Sequence, residues 1–482
     1  MITKDNLIKI SPVLWEIPIS FRADMRVPAR IFATEQMLAD VFSDKSLEQL
    51  VNTSTLQGVI GAALAMPDAH EGYGFPIGGV VATKFPDGII SPGGIGYDIN
   101  CGVRLLRSQL FFKDVKDKLE HLSLRLYHEI PAGVGSSGAH VLSEKELDKV
   151  LREGVKWALE KNFANQSDIF HIESGGKLET ADPSLVSPEA KKRGHDQLGT
   201  LGSGNHFAEV DIVEELYDAK TAQAFGLSKD QIVILIHTGS RGLGHQIATD
   251  YIRLMLNIMC NYNIKLPDRE LACVPFSSKE GQEYFKAMSA AANFAWANRQ
   301  LITHQIRTVW NKEFGDSSGG LSLVYDLAHN IAKIETHDIN GKKQKVIVHR
   351  KGATRAFGPE HPDLAPEYRT LGQPVIIPGS MGTASYVLVG TSEGMKLSFG
   401  SSCHGAGRKL SRHAAKRTVH GKTLRQELYK SGIVIQCDSH AGLAEEAPLA
   451  YKNIDDVVDV VHQAGIARKV AKLKPVIVIK GG

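Results

Sequence analysis

The sequence predicts a fold that combines helices with a mixed β-sheet, and two patterns carry this prediction. Short β-branched runs repeatedly end in polar loops that contain glycine, and residues 278–314 place apolar side chains at helical spacing. The hydrophobic fraction of 43% and the charged fraction of 23% are typical of a soluble globular protein. The length allows roughly three domains, or one large domain with insertions. A chain of this length can bury a large core.

The predicted strands lead directly into the loops that carry polar residues. The runs are IVILI–HTGSRGLGH from Ile232, KVIVH–RKGATRAFG from Lys345, PVII–PGSMGTAS from Pro374 and GIVIQ–CDSHAG from Gly432. Within residues 56–110, GGVVATKF and CGVRLLRSQLFF are also typical of strands. We expect one mixed sheet whose strand ends supply functional groups to one face, because such loops commonly carry function.

Helices are predicted over 114–165 and 278–314, and residues 1–55 form a small N-terminal element. The irregular stretch 257–275 and the long helix after it suggest a helical insertion or subdomain at 245–318 within a single domain, 1–482. Residues 323–335 also predict a helix, with His329 beside its apolar face. The apolar residues of that face are Val324, Leu327, Ala328, Ile331 and Ile334.

Composition argues against several classes of protein. No uncharged apolar run approaches the roughly 18 residues of a membrane span, and the start lacks the apolar core of a secretory signal, so we expect a cytoplasmic protein. The net charge of +3 neither supports nor excludes nucleic-acid binding. The odd number of cysteines and the absence of any CxxC pair argue against a disulfide framework. The cysteines are Cys101, Cys260, Cys273, Cys403 and Cys437.

Four segments contain candidate metal ligands, and three of them are rich in glycine. Asp98 and Cys101 in SPGGIGYDINCGVRLL can face one metal, although a turn with an ordinary buried cysteine fits equally well. His206 in GTLGSGNHFAEV and His329 are, each taken alone, more typical of hydrogen-bonded structural histidines. His237 lies where an apolar run stops, the usual position of an active-site group.

Other residues of these segments suit different roles. Arg241 follows His237 in a Gly-rich loop suited to grip phosphate, and His245 favours a structural or supporting role. The GTLGSGNHFAEV loop can cradle an anion, but the chain has no GxxxxGK[ST] phosphate loop.

The segment FGSSCHGAGRKLSR places His404 between small residues and a cluster of cations. Glycines 405 and 407 leave room for a ligand at the ring, and Arg408, Lys409 and Arg412 make the surroundings electropositive. The alternative is the basic start of a surface helix. A Cys403 thiol nucleophile with a neighbouring histidine is disfavoured, because adjacent residues rarely face each other productively.

Together these segments offer a carboxylate, a thiolate and several imidazoles, which are ligands for transition metals. A bridging thiolate with Asp and His partners could hold two metals. Ligand softness alone favours zinc.

The motifs, taken in order, resemble those of the RNA-splicing ligase RtcB family over nearly the whole chain. The matching segments are MPDAHEGYGFPIGG at 66–79, SPGGIGYDINCGVRLL at 91–106, GSGNHFAEV, HTGSRGLGH, YDLAHN, CHGAGR and KPVIVIKGG. The resemblance implies an α+β fold with mixed sheets around a deep active-site cleft. It implies GTP-dependent joining of RNA ends that bear a 2′,3′-cyclic phosphate or 3′-phosphate to ends that bear a 5′-hydroxyl.

The resemblance also implies two manganese ions, in place of zinc, and a guanylated histidine. Asp98, Cys101 and His206 would hold one ion, and Cys101, His237 and His329 the other. His404 would carry GMP, with Asp98 as a second catalytic residue. The implied nucleotide-site residues are Asn205, His206, Phe207, Ala208, Glu209, His329, Asn330, Pro378, Gly379, Ser380, Met381, Ser385, His404, Gly405, Ala406, Gly407, Tyr451 and Lys480.

RNA contacts should be mainly to phosphates, because a ligase must accept ends of varied sequence. The candidate arginines are Arg104, Arg241, Arg408 and Arg412. Asp68 and His70 of the PDAHEG segment are expected near the site without an assigned role. The expected partners are tRNA exon halves or broken RNA ends, with archease as a possible activator. The rival functions are a phosphoesterase that only hydrolyses cyclic phosphates and a non-catalytic RNA-binding subunit.

Overall fold

The structure is a computed structural model that describes residues 2–315 and 319–482. Its combination of helices and mixed sheets confirms the predicted α+β class. Residues 316–318, the end of the predicted insertion at 245–318, lie outside the described residues, as does Met1, the start of the predicted 1–482 domain. That insertion and the single domain remain predictions.

The strands are distributed over the whole chain. They are β1 Ile8–Ser11, β2 Leu14–Ile17, β3 Ala29–Phe32, β4 Val59–His70, β5 Ile77–Lys84, β6 Ile89–Ile90, β7 Gly102–Phe111, β8 Phe207–Leu216, β9 Gln231–Thr238, β10 Val274–Pro275, β11 Ser322–Ala328, β12 Asn330–Ile339, β13 Lys342–Lys351, β14 Ala353–Arg355, β15 Pro374–Ile377, β16 Ser385–Gly390, β17 Ser401–Cys403, β18 Val434–Gln436 and β19 Ala467–Lys480.

The strands form two large sheets and two short ladders. The first sheet has the order β1-β2-β3-β4-β5-β13-β12 and is antiparallel except between β3 and β4. The second has the order β11-β7-β9-β8-β19-β16-β15, and β18 pairs in parallel with β19. β6 pairs with β10, and β14 with β17. Both large sheets are therefore mixed.

The α-helices lie mostly between β7 and β11 and near the C-terminal end. They are α1 Leu38–Phe42, α2 Ser46–Thr53, α3 Phe112–Val115, α4 Leu119–Glu129, α5 Glu144–Glu153, α6 Val155–Glu160, α7 Gln166–Phe170, α8 Pro188–Gly194, α9 Ala219–Ala224, α10 Arg241–Ile258, α11 Lys279–Phe314, α12 Pro366–Arg369, α13 Ser392–Leu397, α14 Arg412–Thr418, α15 Gly421–Lys430, α16 His440–Glu445 and α17 Ile454–Gln463.

The long helix α11 confirms the prediction for 278–314. It starts after Ser278, whose side chain accepts a hydrogen bond from the Gly281 amide. Most of its length is buried against the second sheet and the helices α4, α5, α6 and α10. Its buried polar residues include Asn298 and Arg299, which reach the loops at the end of that sheet.

Two large apolar clusters form most of the core, and each contains residues of both large sheets. One apolar cluster joins α11 and its neighbouring helices to the second sheet. Another joins the first sheet to α2 and α17. His329 lies between β11 of the second sheet and β12 of the first. Residues of both sheets can therefore contribute to one site there.

Two predictions from the sequence are wrong. Residues 323–335 form strands β11 and β12, not a helix, because most of this segment is buried on both faces of its sheets and loses the alternation of a half-exposed strand. The four predicted strand runs do not share one sheet. The run from Lys345 lies in the first sheet, within β13, and the other three lie in the second.

Across residues 2–315 and 319–482, none of the helices combines the length and apolar character of a membrane span.

Candidate active site

Four predicted metal ligands lie at adjacent strand ends of the second sheet. Cys101 immediately precedes β7, His206 immediately precedes β8, His237 is near the end of β9, and His329 follows β11. These strands are neighbours in the order β11-β7-β9-β8, and each pair is antiparallel. Antiparallel pairing brings the start of one strand beside the end of the next, so the four side chains meet at one edge.

The side chains form two groups of candidate metal ligands that share Cys101. Asp98, Cys101 and His206 make one group, and Cys101, His237 and His329 make the other; within each group the ligand atoms lie within 4.8 Å of one another. The Cys101 Sγ lies 3.3 Å from Nε2 of both His206 and His237. A thiolate at this position can bridge two ions.

The chemistry of this cluster fits metal ions. Nε2 of His237 and Nε2 of His329 are 3.2 Å apart, and a His206 Nε2 to Asp98 Oδ2 distance of 2.9 Å closes the other group. Such separations suit ligands that point at one ion from about 2 Å. Burial lowers the pKa of His237 and of His329, which favours the neutral imidazoles that bind metals.

Burial raises the pKa of the Cys101 thiol, and the nearby Asp98 adds to this effect. A bound cation would act in the opposite direction, because a coordinating thiol is deprotonated.

Buried groups behind the cluster hold its backbone. Arg299 on α11 donates hydrogen bonds to the carbonyl oxygens of Asn100 and Thr238, which adjoin Cys101 and His237. Its guanidinium is held by Asp326. On the other side, the amide of Asn330 donates to the Asp98 carbonyl and accepts from the Gly352 amide. These bonds fix the relative positions of the loops that carry the ligands.

His404 enters the site from the short ladder that β14 and β17 form. It follows β17, and its Nδ1 lies 2.6 Å from Oδ2 of Asp68 on β4. The same carboxylate oxygen accepts hydrogen bonds from the backbone amides of His404 and Gly405. Because the carboxylate accepts the Nδ1 hydrogen, the lone pair of the neutral ring lies on Nε2. The ring centroid of His404 is 4.9 Å from that of His329.

Many of the residues predicted for nucleotide binding line a cavity beside His404. These are Asn205, Phe207, Pro378, Gly379, Ser380, Met381, His404, Gly405, Ala406, Gly407, Tyr451 and Lys480. Its wall also includes His70, Ile77, His237, Arg408, Arg412 and Glu446. The loop from Pro378 and the loop from His404 therefore face the same space.

The remaining predicted nucleotide residues lie around this cavity. Ala208 and Glu209 are buried on β8, and Ser385 is buried on β16, where its hydroxyl accepts a hydrogen bond from the Gly379 amide. His206, His329 and Asn330 belong to the metal-ligand cluster and its support.

The charges in the cavity wall are organised around Glu446. This buried carboxylate accepts from Arg408 and from the Tyr451 hydroxyl, and it also lies near Arg412. Burial lowers the pKa of Lys480, although Glu446 opposes that effect. The wall thus contains cations close to one buried anion. Arg408 and Arg412 are directed at Glu446, while Asp68 orients the His404 ring.

A second cavity lies next to the metal-ligand cluster. Asp98 and His206 lie in its wall together with four cations, Lys192, Arg193, Arg241 and Arg412. Asn205 and Arg412 belong to both cavities. Arg241 is held by hydrogen bonds to Thr200 and to the Gly133 carbonyl. The two cavities therefore adjoin at the cluster.

For one of the four arginines suggested for RNA contacts, the prediction is wrong. Arg104 is fully buried and pairs with Asp326, because it lies on β7 with its side chain against α11. Arg241 and Arg412 face the second cavity, while Arg408 and Arg412 face the first. His245, for which a supporting role was favoured, also faces the second cavity.

Two residues of the site had no role assigned from the sequence. Asp68 lies in the quoted segment MPDAHEGYGFPIGG, but nothing in its spacing connects it to His404, which is 336 residues away. Glu446 immediately follows α16 in the stretch AGLAEEAPLA, which carries no motif. The roles of Asp68 and Glu446 become visible only when the fold brings distant strands and loops together.

Comparisons with known proteins match the chain to one protein family. The family model described as "tRNA-splicing ligase RtcB" matches residues 49–481. A tRNA-splicing ligase RtcB of Thermococcus kodakarensis is 53% identical over 477 residues, which cover 98% of this chain and 99% of that protein. One from Methanococcus maripaludis is 52% identical over 480 residues, covering 99% of this chain and 100% of that protein. One from Archaeoglobus fulgidus is 51% identical over 477 residues, covering 98% and 99%.

Proposed function

The chain belongs to the tRNA-splicing ligase RtcB family, and from this premise we propose that it is a GTP- and manganese-dependent RNA ligase. It joins an RNA end that bears a 2′,3′-cyclic phosphate or a 3′-phosphate to an end that bears a 5′-hydroxyl. The observation that carries the proposal is the Asp68–His404 hydrogen bond of 2.6 Å at the wall of a cavity that adjoins the metal-ligand cluster.

The proposed metal ligands are Asp98, Cys101 and His206 for one manganese ion and Cys101, His237 and His329 for the other. Their support is the convergence of the ligand atoms within each group. Bound ions would supply positive charge that stabilises the negative charge developing on phosphate oxygens. Thiolate and imidazole ligands also suit zinc, which can bind more tightly than manganese.

In the proposed first step, Nε2 of His404 attacks the α-phosphorus of GTP. A P–N bond forms, the bond to the bridging β-phosphate oxygen breaks, and pyrophosphate leaves with that electron pair. The His404 ring keeps its Nδ1 hydrogen, and Asp68 accepts the hydrogen bond from it and stabilises the positive charge that develops on the ring. The resulting His404–GMP divides one difficult reaction into easier steps.

In the next steps, the RNA 3′-phosphate takes GMP from His404 and forms an RNA–pp–G end. The 5′-hydroxyl then attacks the RNA phosphorus of that end and gives up its proton to water. The new P–O bond replaces the bond to the GMP phosphate oxygen, and GMP leaves with that electron pair. Asp98 is the residue that we propose to orient this hydroxyl. A cyclic phosphate is first opened by water to give the 3′-phosphate.

The two adjoining cavities suit this order of events. We assign the cavity beside His404 to the guanine nucleotide, with Tyr451 and Lys480 among its contacts. We assign the cavity with Lys192, Arg193 and Arg241 to RNA phosphates, because these cations adjoin Asp98. An RNA end in the second cavity would meet the nucleotide at Asn205 and Arg412, which line both.

The proposed substrates are tRNA exon halves or broken RNA ends, in the cytoplasm, with archease as an activator to be tested. We propose that residues 1–482 act as a single catalytic domain, with a helical subdomain at 245–318.

The test supplies one RNA with a 2′,3′-cyclic phosphate and another with a 5′-hydroxyl, in the presence of GTP and manganese. We expect a ligated product that requires both GTP and His404. Hydrolysis of the cyclic phosphate without joining, independent of GTP, would identify a phosphoesterase instead. RNA binding without any metal-dependent turnover would identify a non-catalytic RNA-binding protein.

A further inference from the structure

Three aromatic rings form a column beside the second cavity. The ring of Tyr97 stacks on that of His245, with centroids 4.8 Å apart and planes inclined by 24°. Tyr73 contacts Tyr97 edge-on, with ring centroids 5.7 Å apart. His245 is exposed, and it lies in the wall of the second cavity. The column therefore ends at the cavity.

The column stands next to the groups assigned to RNA phosphates. Tyr97 immediately precedes Asp98, a candidate metal ligand. His245 lies on α10 one turn after Arg241, so the two side chains share a face of the helix. Arg241 and His245 both line the second cavity, and Arg193 also lies in its wall. A nucleotide whose phosphate meets Arg241 would have its base within reach of His245.

We propose that the Tyr97–His245 stack is the platform on which the base of the terminal nucleotide at the RNA junction stacks. This inference rests on the proposed function and adds a base contact to a site otherwise assigned to phosphates. The base would lie on the free face of His245 and extend the column. Stacking suits a ligase, because every base has a π-face and the contact does not select a sequence.

The base could belong to either of the two RNA ends, because both terminal nucleotides approach the same metal-ligand cluster. The shared chemistry is a planar base next to a phosphate or hydroxyl. Substrates altered at one end at a time distinguish these two sources.

The experiment compares RNA ends that carry a normal terminal base with ends that carry an abasic terminal nucleotide. With the unaltered protein, we expect removal of the base at one of the two ends to raise KM for ligation about 5- to 100-fold. His245→Ala and Tyr97→Leu should remove most of this difference between the normal and abasic ends. His245→Phe and Tyr97→Phe, which keep a ring, should retain it. The control Tyr429→Leu alters an exposed tyrosine elsewhere and should leave the difference unchanged.

A second measurement detects stacking directly. A 2-aminopurine at the terminal position should lose fluorescence on binding to the unaltered protein and recover it with His245→Ala. A purely structural role for the stack would lower activity on normal and abasic ends alike, with equal fluorescence in all proteins, and would overturn the proposal. Equal KM values for normal and abasic ends with the unaltered protein would also overturn it.

Failure of the proposed function has a different signature. If the unaltered protein neither forms His404–GMP nor ligates normal RNA ends, the ligase proposal itself fails. If it does both and is indifferent to the terminal base, only the platform fails.

Discussion

Asp68 and His404 are joined by a hydrogen bond of 2.6 Å between the carboxylate Oδ2 and the imidazole Nδ1. The two residues come from different parts of the fold, β4 and the loop after β17. The bond leaves Nε2 as the atom with a free lone pair, so it determines which nitrogen can act as a nucleophile.

Replacing Asp68 by Asn should therefore slow guanylylation of His404. An amide can still accept from the backbone amides of His404 and Gly405, but it no longer holds a charge beside the ring. We expect the rate of adduct formation to fall about 10²- to 10⁴-fold, by analogy with other oriented histidines. Single-turnover labelling with α-³²P-GTP measures this rate. An unchanged rate in a folded Asp68→Asn protein would show that the carboxylate is not needed.

Replacing Cys101 by Ala should remove both metal ions together, because the thiol belongs to both ligand groups. His329→Ala should weaken only one ion, since it belongs to a single group. Metal content after dialysis, measured by plasma mass spectrometry, compares the two variants. Retention of one full equivalent by Cys101→Ala would contradict a bridging role.

The metal-ligand cluster could be predicted in part from the sequence, because each of its ligands lies in a recognisable local pattern. Cys101, His206, His237 and His329 each lie at a strand end, and such ends commonly carry functional groups. The first three also lie in segments that contain glycine. Their residue types already indicated a metal site. Their adjacency depended on the strand order β11-β7-β9-β8, which no local pattern encodes.

Local sequence patterns could not predict contacts between residues that are far apart in the chain. Arg104 lies within the Cys101 motif and was considered for RNA, yet it is buried against Asp326 because β7 turns that side chain toward α11. The helix predicted at 323–335 failed because buried strands lack the alternation that distinguishes them from helices. The long helix α11 was predicted because its apolar spacing persists over many turns.

Substitutions at two arginines should separate an effect on stability from an effect on RNA binding. Arg104→Met removes a buried partner of Asp326 and should lower the free energy of unfolding by about 3–5 kcal/mol. Arg412 has a side chain that is 54% exposed, so Arg412→Ala should leave stability nearly unchanged. It should instead weaken RNA binding and reduce the salt dependence by about one unit of slope. Denaturant unfolding and RNA titrations at several salt concentrations measure these effects.

The exposed Lys396→Ala serves as the control for Arg412, because it removes a surface charge on α13, away from both cavities. An equal loss of RNA affinity in both variants would indicate a general charge effect rather than a contact at Arg412.

Glu173 should make stability depend on pH in the acid range. Burial alone would raise its pKa, but Lys333 and Arg355 outweigh burial and lower the pKa to about 2. A lowered carboxyl pKa stabilises the fold above the unfolded value near 4.5, and this contribution disappears as pH falls toward 2.

We therefore expect Glu173→Gln to lower the unfolding free energy by about 3 kcal/mol at pH 7, with a gap that narrows below pH 4.5. Denaturant unfolding of both proteins between pH 3 and 7 measures the gap. A gap that stays constant over this range would mean that Glu173 does not titrate with a lowered pKa.

The most direct test of the account is to locate GMP on the protein. After incubation with GTP and manganese, peptide mass spectrometry should find the GMP adduct on the His404 ring, and His404→Ala should form none. A GMP adduct that persists in His404→Ala, or one that maps to another residue of the unaltered protein, would contradict the assignment of His404 as the nucleophile.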